Sequence, residues 1–269
     1  MLTANCIIEI QKILEQNDAG FRKLPGTSIM NQTTGKTVYV PPQDPREIIE
    51  LMNNLESYIN NKELSDIDPL IKMAVIHWQF ESIHPFYDGN GRTGRIINIL
   101  YMVINDLLNL PILYLSRFII RNKSEYYRLL QDVRDNGSWE EWIIYMVRGV
   151  EETSIETIEL IKQIRELMID YKRRIRDGGD KELKSVYSQD LLNNLFKHPY
   201  TKIEYVMNDL RINRHTAQRR LDILIDHGFL VKQKKKNTYY YINTELYSLF
   251  KKDVSKDNAP LIITLNPPD

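Results

Sequence analysis

Apolar residues recur at helical spacing along most of the chain, and strand-like alternation is confined to short stretches near residue 38 and beyond residue 229. Ile7, Ile8, Ile10, Ile13 and Leu14 predict a helix over 2–16, and a domain starting so early suggests a shortened N-terminus. Residues 20–26 read as a loop. Residues 27–40 have β character, with turn signals at Asn31 and Gly35 and β-branched Thr37, Val38 and Val40. Asp44-Pro45 and Asp68-Pro69 are cap-and-first-turn pairs that open helices over 46–60 and 70–83. Ile96, Ile97, Leu100, Tyr101 and Ile104 continue the pattern, and further helices are predicted over 114–121, 122–130, 139–150 and 151–176. Asp177-Gly-Gly-Asp180 is the best linker signal. Helical patterns at 189–197, 202–209 and 214–226 follow, then strands at 229–231 and 239–242 around a lysine-rich loop. The last pair of helices has helix-turn-helix spacing, with Asn213 as a cap.

Two of the apolar helices are joined by His84-Pro-Phe-Tyr-Asp-Gly-Asn-Gly-Arg-Thr-Gly-Arg95. A helix N-terminus leaves N–H groups unpaired and receives anions readily. Gly89 and Gly91 let the backbone approach a ligand closely, while Arg92 and Arg95, three apart, share one helical face and can clamp phosphate. Asp88 is a hard oxygen ligand suited to Mg²⁺, and a neutral imidazole at His84 can accept a hydroxyl proton. These are the parts that transfer from a nucleoside triphosphate requires. An ordinary polar loop would explain each residue singly but explains the set poorly. The stretch is not a Walker A loop, since GxxxxGK[ST] is absent. His77, on an apolar face, reads as a buried, hydrogen-bonded histidine.

The twelve residues match HPFx(D/E)GNGRxxR at every fixed position, and the chain thereby resembles the Fic-domain proteins. The lead-in His77-Trp-Gln-Phe-Glu-Ser-Ile83 is similar to theirs too. The resemblance implies a mainly α fold: a Fic helical core with a short β-hairpin flap, followed here by a C-terminal winged helix-turn-helix domain. It also implies transfer of AMP from ATP to a Ser, Thr or Tyr hydroxyl of a target protein, the chain itself included. His84 would then be the base and Asp88 the Mg²⁺ ligand. Gly89, Asn90 and Gly91 would form the anion hole, and Arg92 and Arg95 would bind the outer phosphates, with Thr93 and Gly94 in the same ATP-binding stretch. Tyr126 and Tyr127 resemble a pair that the family carries near adenine, although two packing tyrosines read equally well from the residues alone. Lys36, Thr37, Val38 and Tyr39 would be the flap that docks the target by strand pairing. The related Doc branch has Lys at the place of Gly91, so Gly91 argues for AMP transfer. The family's inhibitory pattern (S/T)xxxE(G/N) is absent, which implies a chain not restrained by an inhibitory helix of its own.

Composition then sets the remaining expectations. Lys plus Arg equals Asp plus Glu at 36 each, so global charge points to no partner. Between residues 185 and 252, however, twelve Lys or Arg stand against six Asp or Glu. Arg214, His215, Gln218 and Arg219 on the third helix, with Lys234 and Lys235, would suit phosphates of DNA, while docking of a protein or of a second copy as a homodimer stays equally open. The expected divisions are 1–150 for the Fic domain, 151–180 for a connecting helix and linker, 181–252 for the winged helix and 253–269 for a tail. One cysteine, no apolar run near the roughly 20 residues of a membrane span and no leader predict a cytoplasmic protein without a membrane partner. Two other functions remain: a DNA-binding regulator whose core senses nucleotide, and a transferase using another nucleotide donor.

Overall fold

The computed structural model describes residues 1–30, 35–64 and 66–254, and the chain divides into two compact units, 1–157 and 158–269. The first contains α1 (Ala4–Glu15), β1 (Ile29–Met30), β2 (Thr37–Tyr39), α2 (Pro45–Asn60), α3 (Pro69–Ile83), α4 (Asn90–Ile104), α5 (Leu115–Arg121), α6 (Lys123–Asn136) and the first half of α7 (Trp139–Asp177). The structure is thus mainly helical, as the apolar spacing predicts. Thr3, Asp44 and Asp68 cap α1, α2 and α3 through side-chain oxygens, satisfying N–H groups that the helices cannot. The expected turn signal at Asn31 lies outside the described residues, but β1 and β2 do pair antiparallel, with an irregular register between Ile29 and Met30.

α3 is the centre of this unit. Met73, Ala74, Ile76, His77, Phe80 and Ile83 are all buried, so it is apolar around its circumference rather than on one stripe. Trp142 donates to the carbonyl of Ala74 at 2.9 Å, and Trp78 meets Trp139 edge-on at 4.8 Å. No helix break occurs near residue 150, where two helices were expected: α7 runs from Trp139 to Asp177. Gly149 is no punctuation. A methyl group there would meet the Phe118 ring within 2.6 Å, so it is glycine because α5 and α7 pack closely.

The second unit has the rest of α7, then α8 (Lys181–Val186), α9 (Gln189–Lys197), β3 (Tyr200–Thr201), α10 (Ile203–Leu210), α11 (Arg214–Asp226), β4 (Val231–Lys235), β5 (Thr238–Ile242) and α12 (Thr244–Val254). Its strands pair antiparallel in the order β3-β5-β4. Asn213 caps α11 by accepting from the N–H of Thr216 at 2.9 Å. Three expectations need correction here. Tyr171 and Ile175 belong to this unit's core, so the Gly178-Gly179 pair turns the chain between α7 and α8 inside the unit rather than linking separate bodies. Lys232, Lys234 and Lys235 lie on β4, not in a loop, because lysine stems pack over rings on the partner strand: Lys232 Nζ stands 5.0 Å from the Tyr239 centroid. The segment from residue 244 to 254, read as neither helix nor strand, is α12. No helix among the described residues is long and apolar enough to cross a membrane.

Candidate active site

The twelve-residue stretch connects the C-terminus of α3 to the N-terminus of α4, and its shape is set from both sides. His84 ends α3 in the left-handed region, φ 47° and ψ 58°, with its N–H bonded to the Phe80 carbonyl. Few non-glycine residues adopt this conformation, and it persists only where surroundings enforce it. Arg22 does much of the enforcing. Its guanidinium is buried, and Nε donates to the His84 carbonyl at 2.7 Å while Nη2 reaches the carbonyls of Ile83 and Pro42. The Arg22 N–H donates to Pro85, and the Tyr87 hydroxyl accepts from the N–H groups of Lys23 and Leu24. On the other side, the Asn90 carboxamide clamps Phe86, donating to its carbonyl at 2.8 Å and accepting from its N–H at 2.9 Å. The Asn90 side chain therefore shapes the loop and leaves only its backbone N–H to face a ligand.

Gly89 precedes α4 at φ 81°, so the helix begins without a side-chain cap. The Asp88 carboxylate is exposed and accepts the Gly89 N–H at 2.6 Å. Arg92 is exposed and pairs with Glu15 of α1 at 2.5 Å; that carboxyl also crowds the position a Gly89 side chain would take. Arg95 is half-buried and donates to Ser116 of α5 at 3.0 Å. Thr93 is buried with its hydroxyl unpartnered among the described residues. Gly94 lets α4 approach α3, since a methyl group there would stand 2.8 Å from Glu81 Oε1 and 3.1 Å from the Phe80 ring.

Electrostatics follow from this packing. Burial, reinforced by the positive charges of Arg22 and Arg134, lowers the His84 pKa to about 4, with the Glu81 carbonyl and Asp88 pulling weakly the other way. His84 is thus a neutral imidazole at physiological pH, and its Nδ1 is buried without a hydrogen-bond partner among the described residues. His77 has no exposed surface, bonds Tyr126 and Asn98, and is likewise held at about 4, chiefly by burial. Glu81 moves oppositely: burial raises its pKa to about 7 against the pull of Arg95 and Arg134.

Of the other expected residues, Tyr126 is inside the core, its hydroxyl 2.9 Å from His77, whereas Tyr127 is 53% exposed. Lys36, Thr37 and Val38 are exposed, while Tyr39 is tied down: its hydroxyl donates to the Ser82 carbonyl and its ring lies 3.9 Å under the Arg134 guanidinium. Arg214, His215, Gln218, Arg219, Lys234 and Lys235 are all exposed in the second unit. Glu15, Glu81 and Arg134 carry no motif that marks them. For Glu81 there was one signal, an acid within an otherwise apolar helix, one turn before His84.

A buried helix thus starts in an uncapped, glycine-framed N-terminus beside a neutral imidazole. Residues 1–102 match the Fic/DOC family. Residues 167–246 match the C-terminal domain described for SoFic-like protein adenylyltransferases. The protein adenylyltransferase fic-1 of Caenorhabditis elegans is 28% identical over 110 residues, 41% of this chain and 20% of that protein. A probable protein adenylyltransferase of Aquifex aeolicus is 32% identical over 96 residues, 36% of this chain and 27% of its own length. The protein adenylyltransferase Fic of Aedes aegypti is 43% identical over 65 residues, 24% of this chain and 13% of that one. The matched region thus spans about a fifth of the length of these relatives, between 13% and 27%. Among solved structures, a Fic family protein from Desulfovibrio desulfuricans superposes with a TM-score of 0.52 at 18% identity, covering 89% of this chain and 68% of that one, a likeness of fold.

Two predictions follow from the loop. Replacing Asn90 by Ala strands a buried N–H and a buried carbonyl of Phe86; urea unfolding should show a loss of about 2–4 kcal/mol. In acid, His77 and His84 bind protons more readily when unfolded, so the stability they contribute is present above pH ~6.5 and is lost as pH falls toward 4. Glu81, with its folded pKa raised, opposes them: its contribution falls as pH rises from ~4.5 toward 7. Near pH ~5.5 the three together contribute a slope of about 1 kcal/mol per pH unit, and Glu81→Gln should roughly double it.

Proposed function

We propose that this chain transfers AMP from ATP to a hydroxyl of a protein, with release of pyrophosphate. The observation that carries this reading is the imidazole of His84, held neutral chiefly by burial, beside the uncapped N-terminus of α4. His84 takes the proton of the target hydroxyl. The oxygen then bonds to the α-phosphorus as the bridging P–O bond to the β-phosphate breaks, and pyrophosphate leaves. The N–H groups at the start of α4 and the guanidiniums of Arg92 and Arg95 face the charge that the phosphates carry. A nucleotide sensor would need the clamp but not a base held neutral, so His84 favours catalysis.

Mg²⁺ suits the donor set. Among the described residues no three acidic, His or Cys side chains gather as a metal cage, and Mg²⁺ is usually held by one or two carboxylates together with substrate phosphates. Asp88, exposed at the mouth of the cradle, would hold it. Bound there, the ion would neutralise phosphate charge. The Glu15–Arg92 pair, an exposed guanidinium against a carboxyl that is only 11% exposed, has to yield to a triphosphate. For the nucleobase, Tyr127 offers a ring face, whereas Tyr126 is enclosed. Among the described residues β2 pairs with β1 alone, and Thr37 and Val38 are exposed, which suits strand pairing with a target segment.

Incubation with α-labelled ATP and Mg²⁺ should label the chain or an added target, with labelling abolished in His84→Ala. At saturating ATP the rate should be flat from pH 6 to 8 and fall only toward the His84 pKa of about 4. Labelling that survives His84→Ala, or an acid limb centred near ~6.5, overturns this assignment.

A second reading concerns the C-terminal unit, where Arg214 and Arg219 of α11 and Lys234 and Lys235 of β4 are exposed cations. We read the unit as a winged helix that meets duplex DNA phosphates. Each neutralised phosphate contributes a slope of about −0.9 in log affinity against log salt, so binding should show a slope of about −3 to −4, reduced by about one in Arg219→Ala. Salt-independent association would instead mark a protein-docking module.

A further inference from the structure

Glu81 lies in α3 one turn before His84, and its carboxyl is buried beneath the first turn of α4. A methyl group on Gly94 would stand 2.8 Å from Glu81 Oε1. One on Gly91 would stand 3.9 Å from the same oxygen and 3.1 Å from Arg95 Nη1. Acid and guanidinium thus border one small space directly under the cradle. Glu81 Oε1 is sealed from solvent and has no hydrogen-bond partner among the described residues. A buried, unpartnered carboxylate is costly unless it is protonated or a counter-charge stands near.

The groups around it come from three helices. α4 supplies Arg95; α6 supplies Arg134, Tyr126 and Tyr127; and α3 itself supplies His77, which also borders the Gly94 position. Tyr126, Tyr127 and His77 are all held neutral near pH 7. Both cations are hydrogen-bonded: Arg134 to the Ser82 hydroxyl at 3.1 Å, with its guanidinium also stacked on Tyr39, and Arg95 through Nε to Ser116 at 3.0 Å, its Nη1 bordering the Gly91 position. Arg95 is the one that a ligand at the cradle can reach.

We propose that Glu81 is a positioning residue that couples polyphosphate binding to proton uptake: ionised, it holds Arg95 under the cradle, and a bound polyphosphate takes Arg95 over as Glu81 is protonated. The proton comes from solvent, forming an O–H bond on the carboxylate, and nothing else changes covalently. An added anion beside an acid favours the neutral form of that acid, so binding and protonation reinforce each other. With burial already raising the Glu81 pKa to about 7, the exchange falls in the physiological range. The proposal rests on the reading of the cradle as a nucleotide site.

Calorimetry of α,β-methylene-ATP with Mg²⁺, in buffers of different ionisation enthalpy, tests it on the full chain. Above pH ~7 the unmodified chain should take up as much as one proton more than Glu81→Gln, and its affinity should fall about tenfold between pH 6 and 8, while the variant's falls less by that factor. The ligand's own protonation is common to both and cancels in the difference. A difference infrared spectrum of the unmodified chain should also gain a protonated-carboxyl band on binding, a readout that does not depend on the variant's folding. Equal proton uptake by both chains, or no such band, overturns the role of Glu81. Absence of binding in both chains removes the nucleotide reading instead, and this proposal with it.

Discussion

The close approach of α3 and α4 at Gly94 is the constraint on which the candidate site depends. No side chain stands between the two helices there, and the nearest atoms belong to Glu81, Phe80 and His77. That approach brings the first turn of α4 down onto a helix apolar on all sides, so polar groups lying between them lose water. His77 answers by bonding Tyr126 and Asn98, and Asn90 by clamping Phe86. A larger residue at Gly94 would have to push the helices apart, moving the cradle relative to His84. The geometry of the loop is thus a consequence of packing, not of the loop residues alone.

The same packing decides the charge of each group. Arg22 is buried among carbonyls of residues 42, 83 and 84. Carbonyls solvate a guanidinium but do not cancel its charge, so its field persists at His84 and adds to the effect of burial. Arg134, stacked on Tyr39, contributes a second positive charge nearby. Held at about 4, the imidazole is fully unprotonated at neutral pH.

Much of this was legible in the sequence because the relevant signals are local. Caps at Asp44, Asp68 and Asn213, the helical spacing, and the glycines around Asn90 are read from neighbouring residues. What escaped depends on contacts distant in sequence. Glu15 meets Arg92 across 77 positions, and Arg134 reaches Ser82 across 52, with nothing in either local pattern to announce it. The continuity of α7 across residue 150 was not legible, and Gly149 within it is a contact surface for Phe118. β4 was shortened in the reading because a run of lysines looks like a loop until the tyrosines opposite it are paired.

Both motif arginines are faced by an acid in the ligand-free chain, and the two cases differ in burial. In the Arg92–Glu15 pair the guanidinium is exposed and the carboxyl is only 11% exposed, so solvent screens one end of the pair and not the other. Glu81 sits where no water reaches, and it can give up its charge by taking a proton instead of moving away. A cluster of guanidiniums and unpaired N–H groups would repel itself if left bare. One acid paired with Arg92 and one buried acid near Arg95 offset that repulsion. The two acids are therefore counter-charges to the motif arginines rather than incidental neighbours of them.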